Sequence, residues 1–355
     1  MKKCTTCGRT FDDEANFCTR DGTRLVERVS RARTPAPGLE TAVNLAGQTL
    51  QNRYAIEEKI GEGGMSFVYR ATDKARGERC AIKVLSAALS KDENAMARLK
   101  REASMGMRLV HPNICHIMRL GETDEGLVFV VMPYLEGEIL SDRTNRMRQI
   151  PLAQAVPIVR DVAVGLDVAH DLAIIHRDLK PENVMVCGAP DGSEHAVVLD
   201  FGLAKERRAG AELEKLTATG IILGTPEFMS PEQLRGQVLD RRSDLYSLAL
   251  MTYEMLTGKL PFEGNTQQEI MMARLRGEPI PLDTMRPDLR FPDGVERVLR
   301  TGLSRNREER YQTTMQFAEE LALAADVGSS NGNGANGGSG GSSATDGLLG
   351  KLFGH

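Results

Sequence analysis

The sequence predicts an α+β fold in two lobes, a small strand-rich one followed by a larger helical one. Three observations predict it. The segment RCAIKVL alternates, with Cys80, Ile82 and Val84 on one face and Ala81, Lys83 and Leu85 on the other, which is the period of a strand. LVFVVM (127–132) is a short continuous apolar run, as a buried strand has. From about residue 152 the pattern turns helical in AVPIVRDVAVGLDVAHDL, RRSDLYSLALMTYEMLTG and TQQEIMMARLRG.

The remaining elements follow in order. DKARGER supplies the glycine of a hairpin ahead of RCAIKVL, and a helix is expected over roughly 92–109. CGAPDGSEHA (187–196) is long and polar and reads as a protruding hairpin. Four composition regimes divide the chain. Residues 1–25 are short and cysteine-bearing, and 26–50 read as a linker. Residues 51–325 form one core-competent domain, with its first lobe over 51–135 and its second over 136–325. The Gly/Ser-rich stretch 326–355 is expected to be a flexible coil.

Bulk properties exclude several classes. Hydrophobic residues make up 41% and charged residues 26% of the 355 residues, as in soluble globular proteins. A formal net charge of −4 gives no global basic field for nucleic acid or an anionic membrane. No stretch approaches the roughly 18 apolar residues of a membrane helix, and no apolar run follows the basic start as in a secretory leader. Six cysteines, three clustered and three alone in apolar contexts, suit a reducing cytoplasm better than a disulfide framework.

The glycine cluster GEGGMSFVYR (61–70) is where function begins to show. A Walker loop would need a lysine directly after its last glycine, and a dinucleotide fingerprint would need a helix opening at the loop. Neither is present: FVYRATD continues as a strand, and Lys83 stands on the strand after it. A strand–flap–strand hairpin followed by a lysine is instead the arrangement that covers ATP phosphates with backbone. Gly61, Gly63 and Gly64 would let that backbone approach, with Ser66 at the loop's base. Val68 and Ala81 would sandwich a flat base, and Lys83 would point at the α/β-phosphates. Glu102, on the inward stripe of the expected helix, is the anion Lys83 would need. A surface turn with a solvated glutamate is the plainer alternative.

Two distant motifs decide between them. HRDLKPEN (176–183) offers Asp178 to accept or orient a substrate hydroxyl, Lys180 to steady phosphoryl charge and Asn183 to bind magnesium. VVLDFGLAK puts Asp200 directly after a buried strand as the second magnesium ligand. Phosphoryl transfer asks mainly for positioning and charge neutralisation, and this set supplies both.

With GEGGMSFV, AIK, HRDLKPEN, DFG, GTPEFMSPE and SDLYSLALMTYEMLTGKLPF, the chain resembles the eukaryotic-like protein kinase family over roughly residues 52–322. Its texture is similar to the bacterial serine/threonine kinases. The resemblance implies a bilobal kinase fold and ATP-dependent transfer to protein Ser/Thr hydroxyls, with Mg2+ or Mn2+ as cofactor. It implies that Thr225 bonds Asp178 and Lys180, that Glu232 pairs with Arg310, and that Asp244 supports the catalytic loop. Met132 would back the adenine pocket, and Pro133 to Leu135, including Tyr134, would form the hinge. Three departures are visible: Ser66 for a third glycine, Pro133 without a hinge N–H, and the long connection 187–196. None touches a catalytic group.

Regulation is hinted at by Arg177, next to Asp178. Such an arginine commonly binds a loop phosphate, which makes Thr217 and Thr219 candidate autophosphorylation sites, reached through self-association. At the amino terminus, CTTCG and CTRDG form two similar corners, read as a zinc-ribbon-like module with Cys4, Cys7, Cys18 and Asp21 as ligands. A tail with three free thiols is the alternative, and Asp12, Asp13 or Glu14 could supply the oxygen instead. A pseudokinase or scaffold is the rival functional reading. A nucleic-acid-binding zinc protein is a weaker one, since an acidic DDE run interrupts the module.

Overall fold

The computed structural model describes residues 2–3, 10–11, 45–63, 66–85, 103–104, 106–124, 126–189, 191–201 and 226–331. The chain divides into two compact units, Met1–Leu45 and Ala46–His355. In the first, β1 (Lys2–Lys3) pairs antiparallel with β2 (Thr10–Phe11). The four zinc candidates of this unit lie outside the described residues.

The second unit begins with a six-stranded antiparallel sheet. Its strands are β3 (Thr49–Leu50), β4 (Tyr54–Gly63), β5 (Ser66–Asp73), β6 (Glu78–Leu85), β7 (Arg119–Glu122) and β8 (Val128–Pro133), in the order β3-β4-β5-β6-β8-β7. On β5 every second residue, from Phe67 through Tyr69 and Ala71 to Asp73, is buried, so one face of this strand meets the core. Arg53 offsets the cost of burying Asp73 with two hydrogen bonds to its carboxylate, at 2.8 and 2.6 Å. Gly77, at φ +71°, makes the expected turn into β6.

Strand β3 lies within the stretch read as linker. Gln51 and Asn52 both take positive φ and fold the chain back from Leu50 to Tyr54, a tight turn made without glycine. The helix expected over 92–109 is seen at residues 103, 104 and 106 and has ended by Leu109.

A second, three-stranded sheet has the order β11-β10-β9, from β9 (Gly137–Ile139), β10 (Val184–Gly188) and β11 (Glu194–Val198). The protruding hairpin expected at 187–196 is the β10–β11 connection. Gly137 is required here, since a Cβ would collide with the carbonyl oxygen of Val186. Arg143 ties this sheet to the next helix with a bidentate pair to Glu194 at 2.7 and 2.6 Å.

The helical lobe comprises α1 (Leu140–Met147), α2 (Leu152–Asp171), α3 (Pro231–Leu234), α4 (Arg241–Thr257), α5 (Gln267–Arg276), α6 (Leu282–Met285), α7 (Asp293–Gly302) and α8 (Thr314–Asn331). Helix α4 is central: from Ser243 to Thr257 only Glu254 is not buried. Asp240 caps it by accepting from the Arg242 N–H, and Gly258 ends it in the left-handed region. Helix α2 presents Ile158, Val159, Val162, Ala163, Leu166 and Ala169 to the core. Gly165 allows it to approach the backbone of Asn113, whose carbonyl oxygen a Cβ would meet at 2.8 Å. Helix α8 runs to Asn331, into the stretch expected to be coil. Phe317, Ala318 and Leu321 anchor it, and nothing after them up to Asn331 is a proline. Among the described residues no helix is long and apolar enough to cross a membrane.

Candidate active site

The sheet register sets one wall of the site. Gly61 pairs with Val68, Val68 with Lys83, and Lys83 with Val130, so these residues form a row across four strands. Two positions along, Ala81 pairs with Met132. Side chains two apart on a strand share a face, so Val68, Ala81, Lys83 and Met132 project together. Ser66 sits at the base of the flap, paired with Gly63 on one side and Leu85 on the other, a ladder position open to serine. Gly64 lies outside the described residues. Tyr134 and Leu135 follow β8, both partly buried. Leu135 and Met132 pack with Cys115, Cys187, Met185 and Leu199, which extends the apolar pocket onto β10. Sequence reasoning alone misses Met185; its place two residues after Asn183 is the signal that points to it.

Lys83 Nζ stands 2.7 Å from Asp200 Oδ2, so the cation from β6 and the carboxylate after β11 meet directly. Glu102, the partner expected for Lys83, lies outside the described residues. Asp200 takes φ +53°, a left-handed conformation that a non-glycine residue holds only where its surroundings fix it. Phe201 turns inward, buried, with its ring 4.9 Å from that of His176 in an edge-on contact.

The loop 176–183 is held from beneath. Asp244, fully buried on α4, accepts the N–H of His176 at 2.8 Å and that of Arg177 at 2.9 Å. His170, at the end of α2, meets the same oxygen that accepts the His176 N–H, Nε2 to Oδ2 at 2.7 Å. Burial alone would lower the His170 pKa, but the Asp167 carboxylate, 3.6 Å from Nδ1, and the hydrogen-bonded Asp244 outweigh it and push it up to about 9. Burial alone would likewise raise the Asp244 pKa, and the His170 contact turns the net shift downward. An imidazolium between two carboxylates therefore clamps the loop. A histidine on the apolar stripe of α2 is the sequence signal for it, and the family resemblance assigns Asp244 without it.

With the loop fixed, Asp178 and Asn183 come together: Asn183 Nδ2 donates to the Asp178 carbonyl at 2.7 Å and to its Oδ2 at 3.2 Å. Lys180 Nζ lies 3.9 Å from Asp178 Oδ2. Committing Nδ2 to Asp178 leaves the Asn183 amide oxygen as the pole for a cation. Together with the Asp200 carboxylate this is an oxygen donor pair, the kind a hard divalent ion such as Mg2+ takes. Farther back, Glu232 and Arg310 form the expected clasp, Nη1 to Oε1 and Nη2 to Oε2 both at 2.8 Å, and both residues are buried. Thr217, Thr219 and Thr225 lie outside the described residues.

The fold and this arrangement define a protein kinase. Residues 54–321 match the protein kinase domain family. The chain is 39% identical over 275 residues to the serine/threonine-protein kinase pkn3 of Myxococcus xanthus, covering 78% of this chain and 50% of that protein. It is 36% identical over 275 residues to the serine/threonine-protein kinase PknB of Mycobacterium leprae, covering 77% and 43%. Among solved structures, the kinase domain of Mycobacterium tuberculosis PknI superposes with a TM-score of 0.61 at 27% identity, covering 79% of this chain and 99% of that one. The chain belongs to the protein kinase family, in its bacterial serine/threonine branch. It spans about half the length, or less, of these curated relatives.

Proposed function

We propose that the protein is an active serine/threonine kinase that transfers the γ-phosphoryl group of ATP to hydroxyls of protein substrates. The observation that carries this reading is the convergence of Lys83, Asp178, Lys180, Asn183 and Asp200, drawn from both lobes, with no charged member replaced. A scaffold has no need to keep all five. In this reading the row of Val68, Ala81 and Met132, with Leu135, takes the adenine, and the flap glycines Gly61, Gly63 and Gly64 cover the phosphates. Lys83 orients the phosphates, Asp178 positions and deprotonates the acceptor hydroxyl, and Lys180 steadies the transferred charge. Asn183 and Asp200 would hold Mg2+ (or Mn2+), which would supply charge neutralisation at the phosphates. Glu102 is kept as the partner of Lys83 in the nucleotide-bound enzyme.

Autophosphorylation of Thr217 or Thr219, through transient self-association, is part of the proposal. Its support is Arg177, held beside Asp178 with its N–H on Asp244. One experiment tests both parts. Incubation with γ-labelled ATP and magnesium should label wild-type protein and not Asp178→Asn, with the phosphate mapping to Thr217 or Thr219. Equal labelling, or none, would sink the kinase reading; label confined to other residues would sink the loop assignment.

The amino-terminal unit is proposed to bind one zinc ion through Cys4, Cys7, Cys18 and Asp21. Supporting this, the β1–β2 ladder brackets the C-x-x-C-G corner, and a unit this small needs metal to fold. Elemental analysis of the full chain should give one zinc per molecule, falling in Asp21→Ala; a metal-free wild type overturns it. A cytoplasmic location fits the free, buried thiols of Cys80, Cys115 and Cys187.

A further inference from the structure

Helix α8 packs along α2, and its first residue, Thr314, is buried against that helix. Thr314 Oγ1 donates to Asp167 Oδ1 at 2.6 Å, and the Thr314 N–H donates to the same oxygen at 3.3 Å. That oxygen is also the one facing His170, 3.6 Å from Nδ1. At 3.6 Å the contact is not a hydrogen bond, and Nδ1 is buried with no hydrogen-bond partner. The other ring nitrogen meets Asp244 at 2.7 Å, and Asp244 accepts the N–H groups of His176 and Arg177. A continuous polar path therefore runs from α8 through Thr314, Asp167, His170 and Asp244 to the residue before Asp178.

A buried imidazole N–H left unmet is costly, and here a carboxylate stands just short of meeting it. Thr314 and His170 compete for one oxygen, and Thr314 holds it on the α8 side with two donors. The hydroxyl has a single proton. Its longer contact, 3.1 Å to the Ala163 carbonyl, is the weaker claim on that proton. The charged or titratable groups that face His170 are Asp167 on its own helix and Asp244 on α4, with the His176 ring of the catalytic loop behind Asp244. From α8 comes the neutral Thr314. Withdrawing the Thr314 hydroxyl frees Asp167 to close on Nδ1, whereas removing the Asp167 charge leaves the ring with Asp244 alone. The two changes act on His170 in opposite senses, which loss of packing does not.

We propose that Asp167 and Thr314 are positioning residues for the catalytic loop: Thr314 sets how closely Asp167 backs the His170 ring, and through Asp244 the pair sets the backbone that presents Asp178. The inference rests on the kinase reading above and adds two residues to it that the motifs do not contain. It also gives α8 a hold on phosphoryl transfer, although neither residue reaches the nucleotide row or Asp178 itself.

The test uses variants of the full chain, read by NMR titration of the histidines and by kcat with myelin basic protein as acceptor. Asp167→Asn keeps an acceptor for Thr314 and removes the charge, so His170 should titrate at lower pH than in wild type. Thr314→Val keeps the shape and removes the hydroxyl, so His170 should titrate at higher pH. Thr314→Ser restores the hydroxyl and should titrate as wild type. At pH 8, below the wild-type His170 value of about 9, kcat of Asp167→Asn should fall about tenfold, with ATP KM within about twofold. Its His176 and Arg177 amides should also exchange with solvent faster. A histidine unmoved in both variants, or moved the same way in both, overturns the proposal. So does a normal kcat at pH 8 in Asp167→Asn whose histidine has shifted. If Asp167→Asn does not fold, Thr314→Val decides: an upward shift that Thr314→Ser lacks upholds the proposal, and no such shift overturns it. Wild-type protein that phosphorylates nothing overturns the kinase reading. Amide exchange then decides the pair without activity: faster in Asp167→Asn upholds its hold on the loop, and unchanged overturns it.

Discussion

Asp244→Asn is expected to lower kcat by about 100-fold or more while moving ATP KM far less, because a small misplacement of a catalytic loop has that cost. One Asp244 oxygen serves two partners, the His176 N–H and His170 Nε2, and the other serves the Arg177 N–H. An asparagine has a single acceptor oxygen. Either orientation sets an NH2 group against at least one backbone donor, in a place no water reaches. Arg177 sits at φ +66°, a conformation its neighbours must maintain, so losing its N–H partner frees the residue directly before Asp178. The row of Val68, Ala81, Lys83 and Met132 proposed for the nucleotide lies on the strands of the other lobe, which is why kcat and ATP KM should separate.

The same substitution has a signature in pH. In the folded protein the His170 pKa is raised, to about 9, above its ordinary 6.5. Its contribution to stability is therefore complete below about pH 6.5 and is lost as pH rises through about 9. Asp244→Asn takes away one of its two carboxylates, leaving Asp167 at 3.6 Å from Nδ1. The imidazole should then titrate at lower pH by NMR, and denaturation midpoints should depend less on pH between 6.5 and 9. A normal kcat with an unmoved histidine resonance would show that the clamp does not hold the loop.

Much of this site is legible in the sequence because phosphoryl transfer uses residues that sit in short runs. HRDLKPEN packs the proposed base, lysine and metal ligand into eight residues, and the alternation of RCAIKVL is enough to set the face of Lys83. What stays hidden is pairing over distance. His170 is one histidine on an apolar stripe, and Thr314 the second of two threonines where α8 begins; each looks ordinary until its partner is known. Asn113 Nδ2 and Asp161 Oδ2 bond the carbonyl and amide of Ala196, joining three distant segments with no local signal. Lys83 shows the limit from the other side. Its need for an anion is evident, yet two acids could answer it, and the described one is Asp200, 117 residues away. At the edges of the domain local pattern also fails: β3 is too short for a period to show, and α8 outlasts its apolar stripe.

Arg310→Met should cost about 3–5 kcal/mol of stability, since it strands a buried carboxylate without its cation. Glu232 is 3% exposed, and its oxygens are met by both Arg310 nitrogens at 2.8 Å and by the Ser243 hydroxyl at 2.8 Å. Arg310 further holds the carbonyls of Ser304 and Arg242 and lies 4.7 Å from the Tyr246 ring centroid. For a domain of this size such a loss lowers Tm by about 10 °C. Burial alone would raise the Glu232 pKa, and Arg310 turns the net shift downward. In wild type the clasp thus stabilises above the ordinary glutamate pKa, and that share is lost as pH falls through the depressed one. In Arg310→Met the burial effect stands alone, so Glu232 can relieve itself by taking a proton, and the stability gap to wild type should narrow on acidification. The double variant Glu232→Gln, Arg310→Met should be more stable at neutral pH than Arg310→Met, because an amide tolerates burial better than an unpaired carboxylate. Equal melting temperatures for single and double variants would mean that the cost lies in the lost packing of Arg310 and not in the charge it leaves behind.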